Sequence, residues 1–274
     1  MSADKRNQYW HQKVVLVTGG SSGLGEVLCR KFLSAGASVV AVARNEDKLR
    51  AAASAWNAVA GRVLPVAADV TRPDEIASVL QTLQQQYGRL DAVVHAAGRS
   101  DRGRLTEVPV ERLEDLWRIN ALAALLIARS SIELLDRHQG HLVLIGSLAG
   151  KTAAPYMGGY PASKFALTAI AHQLRLETDR SAVHILLVCP GPIARPDAGQ
   201  RYDALAQGLP ETARRPGGGV RLRGIDPERL AERILEACRR RKRELVVPSR
   251  ARWLFAVQQL WPTAGDWLLR RFFS

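Results

Sequence analysis

Six short runs of almost unbroken aliphatic residues recur along this chain, and a stretch of helical length follows each of the first five. The runs are KVVLVT from Lys13, SVVAVA from Ser38, RVLPVA from Arg62, LDAVVHA from Leu90, HLVLIG from His141 and VHILLVCP from Val183. A strand that is apolar at every position, not at alternate ones, is buried on both faces, as in a parallel sheet covered by helices on two sides. EDKLRAAASAW from Glu46 and PDEIASVLQTLQQQY from Pro73 have the length and pattern of such helices. The alternation predicts an α/β fold with a doubly wound parallel sheet. A seventh short strand, ELVVP from Glu244, follows a basic helix predicted from about Asp226 to Arg243. The segment 195–224 is rich in Gly, Pro and Arg, with PGGG at Pro216 to Gly219. It is too long for an ordinary connection, and loops of that length are usually functional or mobile.

The first strand ends in TGGSSGLG, Thr18 to Gly25. Glycines let a backbone approach a pyrophosphate, and a helix N-terminus presents free N–H groups and the positive end of its dipole. A tight strand-to-helix turn would need fewer glycines, and the setting between first strand and first helix is the one such a phosphate cradle requires. Gly19, Ser21, Ser22, Gly23, Leu24 and Gly25 are therefore expected to border a dinucleotide. An acidic residue at the end of the second strand would hold the ribose hydroxyls of NAD. This chain has Arg44 and Asn45 there. A guanidinium cannot accept from a 2′-hydroxyl but pairs with a 2′-phosphate, which points to NADP(H). Asp69 and Val70, after the third strand, are expected beside the adenine.

GGYPASKF, Gly158 to Phe165, places Tyr160 and Lys164 four residues apart. Pro161 marks the first turn of a helix, so the two side chains share a face. An ammonium beside a phenol favours the phenolate and is expected to lower the Tyr160 pKa. Taken alone, the pair also fits an ordinary surface contact. Ser147 stands thirteen residues before the tyrosine. With TGGSSGLG, Ser147, Tyr160-x-x-x-Lys164 and Pro190-Gly191 in that order, the chain resembles the short-chain dehydrogenase/reductase family from about Lys13 to Val247. The resemblance implies a Rossmann fold with a seven-stranded parallel sheet, a bound NAD(P)(H) and a catalytic tetrad of Asn120, Ser147, Tyr160 and Lys164. It also implies that Lys164 holds the nicotinamide ribose, and that Asn120 interrupts its helix and anchors a proton-relaying water. A homodimer or homotetramer built on the helices carrying Asn120 and Tyr160 is implied as well. On this reading residues 1–248 are one NADP(H)-binding catalytic domain, with 195–224 as its substrate loop and 249–274 as an amphipathic C-terminal extension.

Two departures stand out. The family's Asn-Asn-Ala-Gly reads His95-Ala96-Ala97-Gly98 here, which keeps the small Ala97 and Gly98 next to the cofactor and loses a sheet-stabilising hydrogen bond. After Pro190-Gly191, the threonine that binds the carboxamide in the family is replaced by Ala194 and Arg195, leaving the Ile193 backbone to serve. His95 and His184 read as packed residues.

Cys29, Cys189 and Cys238 are odd in number and suit neither a zinc site nor a disulfide framework, so they read as reduced packing residues of a cytoplasmic protein. MSADKRNQYWHQK lacks an apolar signal core, and no run of about 18 apolar residues is present. The net charge of +13 is uneven: residues 201–274 hold 16 basic and 8 acidic residues. Six of the 16 aromatic residues fall between Trp253 and Phe273. Trp253, Leu254, Val257, Leu260 and Trp261 share one helical face, Pro262 is expected to stop that helix, and a second bears Trp267, Leu268 and Phe272. Such a tail either packs on its own domain or a partner subunit beside the substrate mouth, or lies on a membrane surface through 250–273. Nucleic acid is not expected, because no recognition motif accompanies the charge. The stretch TGGSSGLG…VARNEDKL is also similar to the 3-ketosphinganine reductases, membrane-associated members of the family. The resulting expectation is an NADP(H)-dependent oxidoreductase acting on a bulky apolar or lipid-like ketone or secondary alcohol. The alternative is a non-catalytic NADP(H)-binding sensor or scaffold at a membrane surface.

Overall fold

The seven expected strands form, and they join in one sheet. They are β1 (Val14–Thr18), β2 (Ser38–Ala43), β3 (Val63–Ala67), β4 (Ala92–His95), β5 (His141–Ile145), β6 (His184–Pro190) and β7 (Glu244–Val247). The order is β3-β2-β1-β4-β5-β6-β7, and every neighbouring pair is parallel. This computed structural model describes residues 8–56, 61–178, 181–197, 200–219 and 223–273, the side chains of residues 272 and 273 excepted. The helices are α1 (Gly23–Ser34), α2 (Glu46–Ser54), α3 (Pro73–Tyr87), α4 (Val110–Trp117), α5 (Ala123–Asp136), α6 (Tyr160–Glu177), α7 (Pro227–Arg239), α8 (Ala251–Leu260) and α9 (Pro262–Phe273).

The strand sequences explain the layering. Val15 and Val17 point to one side of β1 and pack with Phe32 of α1, Leu49 of α2 and Ile234 of α7. Val14 and Leu16 point to the other and pack with Leu83 of α3, Ile127 of α5 and Leu167 of α6. Each side chain of this size removed from water contributes about 1.5–3 kcal/mol, which is why an all-aliphatic strand must be covered on both faces. Local signals set the helix limits. Asn45 caps α2 by accepting from the Lys48 amide at 2.7 Å. Asp226 caps α7 by accepting from Glu228 at 3.0 Å. The α7 helix ends at Arg239, short of the expected Arg243, where Arg241 turns the chain with a φ of 48°.

From β1 the chain winds outward to β3 and then returns to the other side of β1 as β4. This reversal opens a crevice at the carboxyl ends of β1 and β4. The amino-terminal end of the sheet, opposite the crevice, holds a polar chain. The Tyr9 hydroxyl bonds to His141 Nε2 at 2.7 Å, His141 Nδ1 meets His184 Nδ1 at 2.8 Å, and His184 Nε2 meets the Lys242 carbonyl at 2.8 Å. Burial holds both imidazoles well below their usual pKa. His184 is thus packed, as expected. The three cysteines are free and buried, and burial pushes the Cys189 thiol up to about 12.

The C-terminal tail folds as a helical hairpin. At its crossing a Cβ on Gly265 would lie 2.5 Å from Gln258 Cα, so α8 and α9 touch through backbone there. Ala251 and Phe255 anchor the hairpin on the core beside α6. The face read from the sequence is split in two: Leu254 and Val257 turn inward, whereas Trp253, Leu260 and Trp261 are exposed. Docking through Ala251 and Phe255 rotates the helix so that only one edge of its apolar face is covered. Pro262 opens α9 instead of lying in the break, because proline is tolerated in a first turn. No helix among the described residues is long and apolar enough to cross a membrane.

Candidate active site

The crevice holds a cavity of about 1170 Å³ that runs from the glycine loop, past Tyr160, to the tail hairpin. Single ligand sites usually measure about 300–1,000 Å³, so a dinucleotide and a second molecule have room side by side. At one end a Cβ on Gly25 would lie 2.2 Å from the Gly19 carbonyl oxygen, so only glycine lets α1 start this close to β1. Ser22, the N-cap of α1, makes no side-chain cap bond. The first helical amides are thus left for an outside acceptor. Gly19, Ser22, Gly23, Leu24 and Gly25 line the cavity, whereas Ser21 does not.

Asn120 is buried in a π-helical turn, Arg118–Leu122, that separates α4 from α5. The helix interruption matches the expectation. Its carboxamide makes three hydrogen bonds: Oδ1 accepts from the Arg99 amide at 2.8 Å, and Nδ2 donates to the Arg99 carbonyl at 2.8 Å and to Ser163 Oγ at 3.0 Å. Asn120 does not line the cavity, and its side chain splints the strand exit at Arg99 to α6. The same packing explains Gly98, where a Cβ would fall 2.8 Å from Asn120 Oδ1 and 3.5 Å from Lys164 Nζ.

Ser147, Tyr160 and Lys164 line the cavity together. Ser147 caps a short 3₁₀ turn by accepting from the Ala149 amide at 3.1 Å. Its hydroxyl lies close enough to the Tyr160 phenol to favour the phenolate. Lys164 is buried and donates to the Ile145 carbonyl at 2.9 Å. Here the electrostatics correct the sequence expectation. Burial raises the Tyr160 pKa, outweighing the nearby Ser147 hydroxyl, which pulls it down. The ammonium of Lys164 sits 5.9 Å from the ring centroid and is itself desolvated, which drops its pKa to about 8. Without a ligand, Tyr160 is a protonated acid and Lys164 the group that titrates near neutrality.

Ala97, Gly98, Pro190, Gly191 and Ile193 also line the cavity. Around Ile193, a lone parallel bridge to Ile225 uses the Pro192 carbonyl and the Ala194 amide, so Ile193 keeps its own backbone groups. Arg44, Asn45, Asp69 and Val70 lie outside the lining. Arg44 is exposed just past β2. The Asn45 side chain is spent on its helix cap, Asp69 Oδ1 accepts from the Thr71 amide and hydroxyl, and Val70 is packed in the core. His95 is buried, with Nδ1 3.0 Å from Thr18 Oγ1, and this bond ties β4 to β1 where the family's asparagine is missing. Burial drops its pKa to about 3.

A second cluster is absent from the sequence reading. Asp101 accepts from the Gly159 amide at 3.1 Å and pairs with Arg112 at 3.0 Å, which fixes the approach to Tyr160. Arg102, also buried, donates to the Ala213 carbonyl at 2.7 Å and the Arg215 carbonyl at 3.2 Å, and stacks 3.6 Å over the Tyr202 ring. The Tyr202 hydroxyl meets Ser100 Oγ at 3.0 Å. Ser100–Arg102 thus fasten the segment 202–215 to the wall beside Tyr160. The only trace in the sequence is the run of charges in RSDRGR, directly after the small residues at 96–98. The far wall comes from the tail, through Leu254, Phe255 and Val257 of α8 and Leu268 and Leu269 of α9.

Comparison with known proteins agrees with this arrangement. The family model described as short chain dehydrogenase matches residues 13–204. An uncharacterised oxidoreductase of Staphylococcus epidermidis is 32% identical over 72% of this chain and 87% of its own length. The ketoacyl reductase HetN of Nostoc is 28% identical over 95% of this chain and 89% of its own. Among solved structures, L-sorbose reductase from Gluconobacter frateurii, complexed with NADPH and L-sorbose, superposes with a TM-score of 0.74 at 25% identity, covering 86% of this chain and 95% of that one. An actinorhodin polyketide ketoreductase variant with NADPH gives 0.75 at 26% identity over the same shares.

Proposed function

This chain belongs to the short chain dehydrogenase family and is an oxidoreductase, and from that premise we propose that it moves hydride between NADP(H) and a ketone or secondary alcohol with a bulky apolar body. One observation carries the reading. The Tyr160 phenol, beside Ser147 and Lys164, faces a cavity with a glycine cradle at one end and an apolar wall at the other.

The residues present fit the cofactor. The free amides opening α1 and the backbone contact at Gly25 suit a pyrophosphate. Arg44 takes the 2′-phosphate, the Asp69–Val70 turn borders the adenine, Ala97 and Gly98 let the dinucleotide lie close, and Lys164 holds the nicotinamide ribose. Pro190, Gly191 and the Ile193 backbone hold the carboxamide. When bound, the reduced nicotinamide supplies hydride to the carbonyl carbon. Ser147 donates to the carbonyl oxygen as charge develops there. Tyr160, kept protonated by burial, gives that oxygen its proton, and in the reverse direction takes it back. Lys164 as ammonium steadies the phenolate left behind. Asn120 acts at one remove, holding Arg99 and Ser163 and through them the position of α6.

The assembly we propose is a homodimer or homotetramer through α4, α5 and α6. Val110 and Trp117 on α4, and Phe165 and Leu176 on α6, are large apolar side chains left exposed there. For the tail, Trp261 and Trp267 on the outside, with Arg252, Arg270 and Arg271 nearby, suit an anionic membrane surface. The direct test of the chemistry is oxidation of NADPH over a panel from short diketones to long-chain ketones, with NADH in parallel. Turnover of the long-chain class with NADPH supports the reading. Tight NADPH binding by the wild type with no turnover across the panel would favour the sensor alternative.

A further inference from the structure

The exit from β6 carries Arg195 where the resemblance leads one to expect a carboxamide-binding threonine. Its side chain does not point to the nicotinamide end. A Cβ placed on Gly23 would lie 3.3 and 3.4 Å from the two terminal nitrogens of Arg195 and 3.5 Å from its Cζ. The guanidinium therefore lies flat against the first residue of α1, where Gly23 has a φ of +57° and leaves no side chain in the way. Nε is the nitrogen held by the protein, at 3.3 Å from Asp197 Oδ1, and both side chains of that pair are well exposed. Among the described residues the two terminal nitrogens have no hydrogen-bond partner.

The surroundings leave Arg195 few rivals. The amides of Gly23, Leu24 and Gly25 have no acceptor among the described residues, the first bond of the helix running from Glu26 to the Ser22 carbonyl at 3.3 Å. Arg30 lines the same cavity but is bonded to Glu228 at 2.5 Å. Lys164 donates to the Ile145 carbonyl and stands beside the Tyr160 ring. A planar fork of donors and a row of unpaired amides, brought together from two distant segments, match an anion with oxygens on two phosphorus atoms.

Arg195 also opens the segment that covers the site. Behind it, the Ala194 amide is pinned to the Ile225 carbonyl at 2.8 Å. Ahead of it, Tyr202, Ala213 and Arg215 are fastened by Ser100 and Arg102. Between these anchors the start of the loop is held by the exposed pair with Asp197, which contributes little on its own, and by the Gln200 and Arg201 amides on the Asp197 carbonyl, both at 3.3 Å.

We propose that Arg195 is a ligand of the cofactor pyrophosphate and that this contact ties the start of the substrate loop down over the bound cofactor. The proposal rests on the NADP(H) reading above. It makes order at the start of the loop depend on this one contact.

Binding titrations on the full chain test it without turnover. Wild type, Arg195→Lys and Arg195→Ala are titrated with NADPH and with adenosine 2′,5′-bisphosphate, which has no pyrophosphate. Expected is an NADPH Kd raised about tenfold or more in Arg195→Ala, as loss of a charge-assisted contact implies, and partly restored in Arg195→Lys. The bisphosphate Kd should change less than about threefold by comparison. In parallel, NADPH should protect the wild-type loop from trypsin at Arg201 and Arg214, and should fail to protect Arg195→Ala. An NADPH Kd unchanged in Arg195→Ala, equal losses for both ligands, or equal protection of both proteins would each overturn the proposal. If the wild type fails to bind NADPH at all, the NADP(H) reading itself falls, which is a separate result.

Discussion

Lys164 is the residue whose chemistry is most sensitive to pH. Burial favours its neutral amine and brings its pKa down to about 8, while the Tyr160 phenol is pushed the other way. In reduction the lysine must carry its charge to steady the phenolate. Below about pH 8 it does, and above that the charge is lost. The kcat/KM for ketone reduction, which reports groups of the free enzyme, is therefore expected to fall as pH rises through about 8. In Lys164→Met that break should vanish and kcat/KM should drop about 100-fold or more. A break that persists in the variant would assign it to another group. Arg44 gives a second test at this scale. Arg44→Asp should shift the NADPH/NADH ratio of kcat/KM towards NADH by at least tenfold, roughly the worth of one charged hydrogen bond. An unchanged ratio would remove Arg44 from the 2′-phosphate. Ser147, Tyr160 and Lys164 were legible in the sequence because a helical i to i+4 spacing and chain order survive in one dimension. Arg102 was not: its partners are carbonyls more than a hundred residues away, and no periodicity records them.

Among the elements, strands were the most legible, since an aliphatic run buried on both faces leaves few alternatives. The interruption of the helix at Asn120 followed from the resemblance, whereas its π-helical form and the carboxamide's role as a splint between Arg99 and Ser163 needed the fold. In the tail, helix and apolar face were both readable, but not which edge would dock. Phe255 and Ala251 decide that by seating α8 on the core. The hairpin consequently has two faces with separable effects. Trp261 and Trp267 do not line the main cavity, so the double variant Trp261→Ser/Trp267→Ser should lose co-sedimentation with anionic vesicles and keep its turnover of a short soluble ketone. Undiminished co-sedimentation would contradict the membrane contact. Truncation before Arg252 also strips Leu254, Val257 and Leu268 from the cavity wall. It should raise KM for long-chain ketones about tenfold while leaving short ones nearly unchanged, the loss being that of apolar contact area.

Over the whole molecule, the buried imidazoles set the acid limit of stability. His141 and His184 are held neutral by burial in the folded state, while in the unfolded chain they take protons near pH 6.5. The unfolded state thus binds more protons as pH falls below that value, and stability falls with it, by on the order of 2 kcal/mol per histidine at pH 5. Urea midpoints at pH 7 and 5 should show the fall, and His184→Gln should lessen it. An equal fall in the variant would place the acid sensitivity elsewhere. Assembly is a second whole-molecule property. The exposed Trp117 and Phe165 lie on the helices that would meet, so Phe165→Glu should lower the mass seen by analytical ultracentrifugation to that of one chain. A wild type already sedimenting as one chain would contradict the interface. The reaction itself is tested most directly by Tyr160→Phe, with NADPH binding and ketone reduction measured on the same preparation. The expected result is a Kd within about twofold of wild type and turnover lowered about 100- to 10,000-fold. Turnover equal to wild type would show that the proton comes from some other group and that the site has been read wrongly.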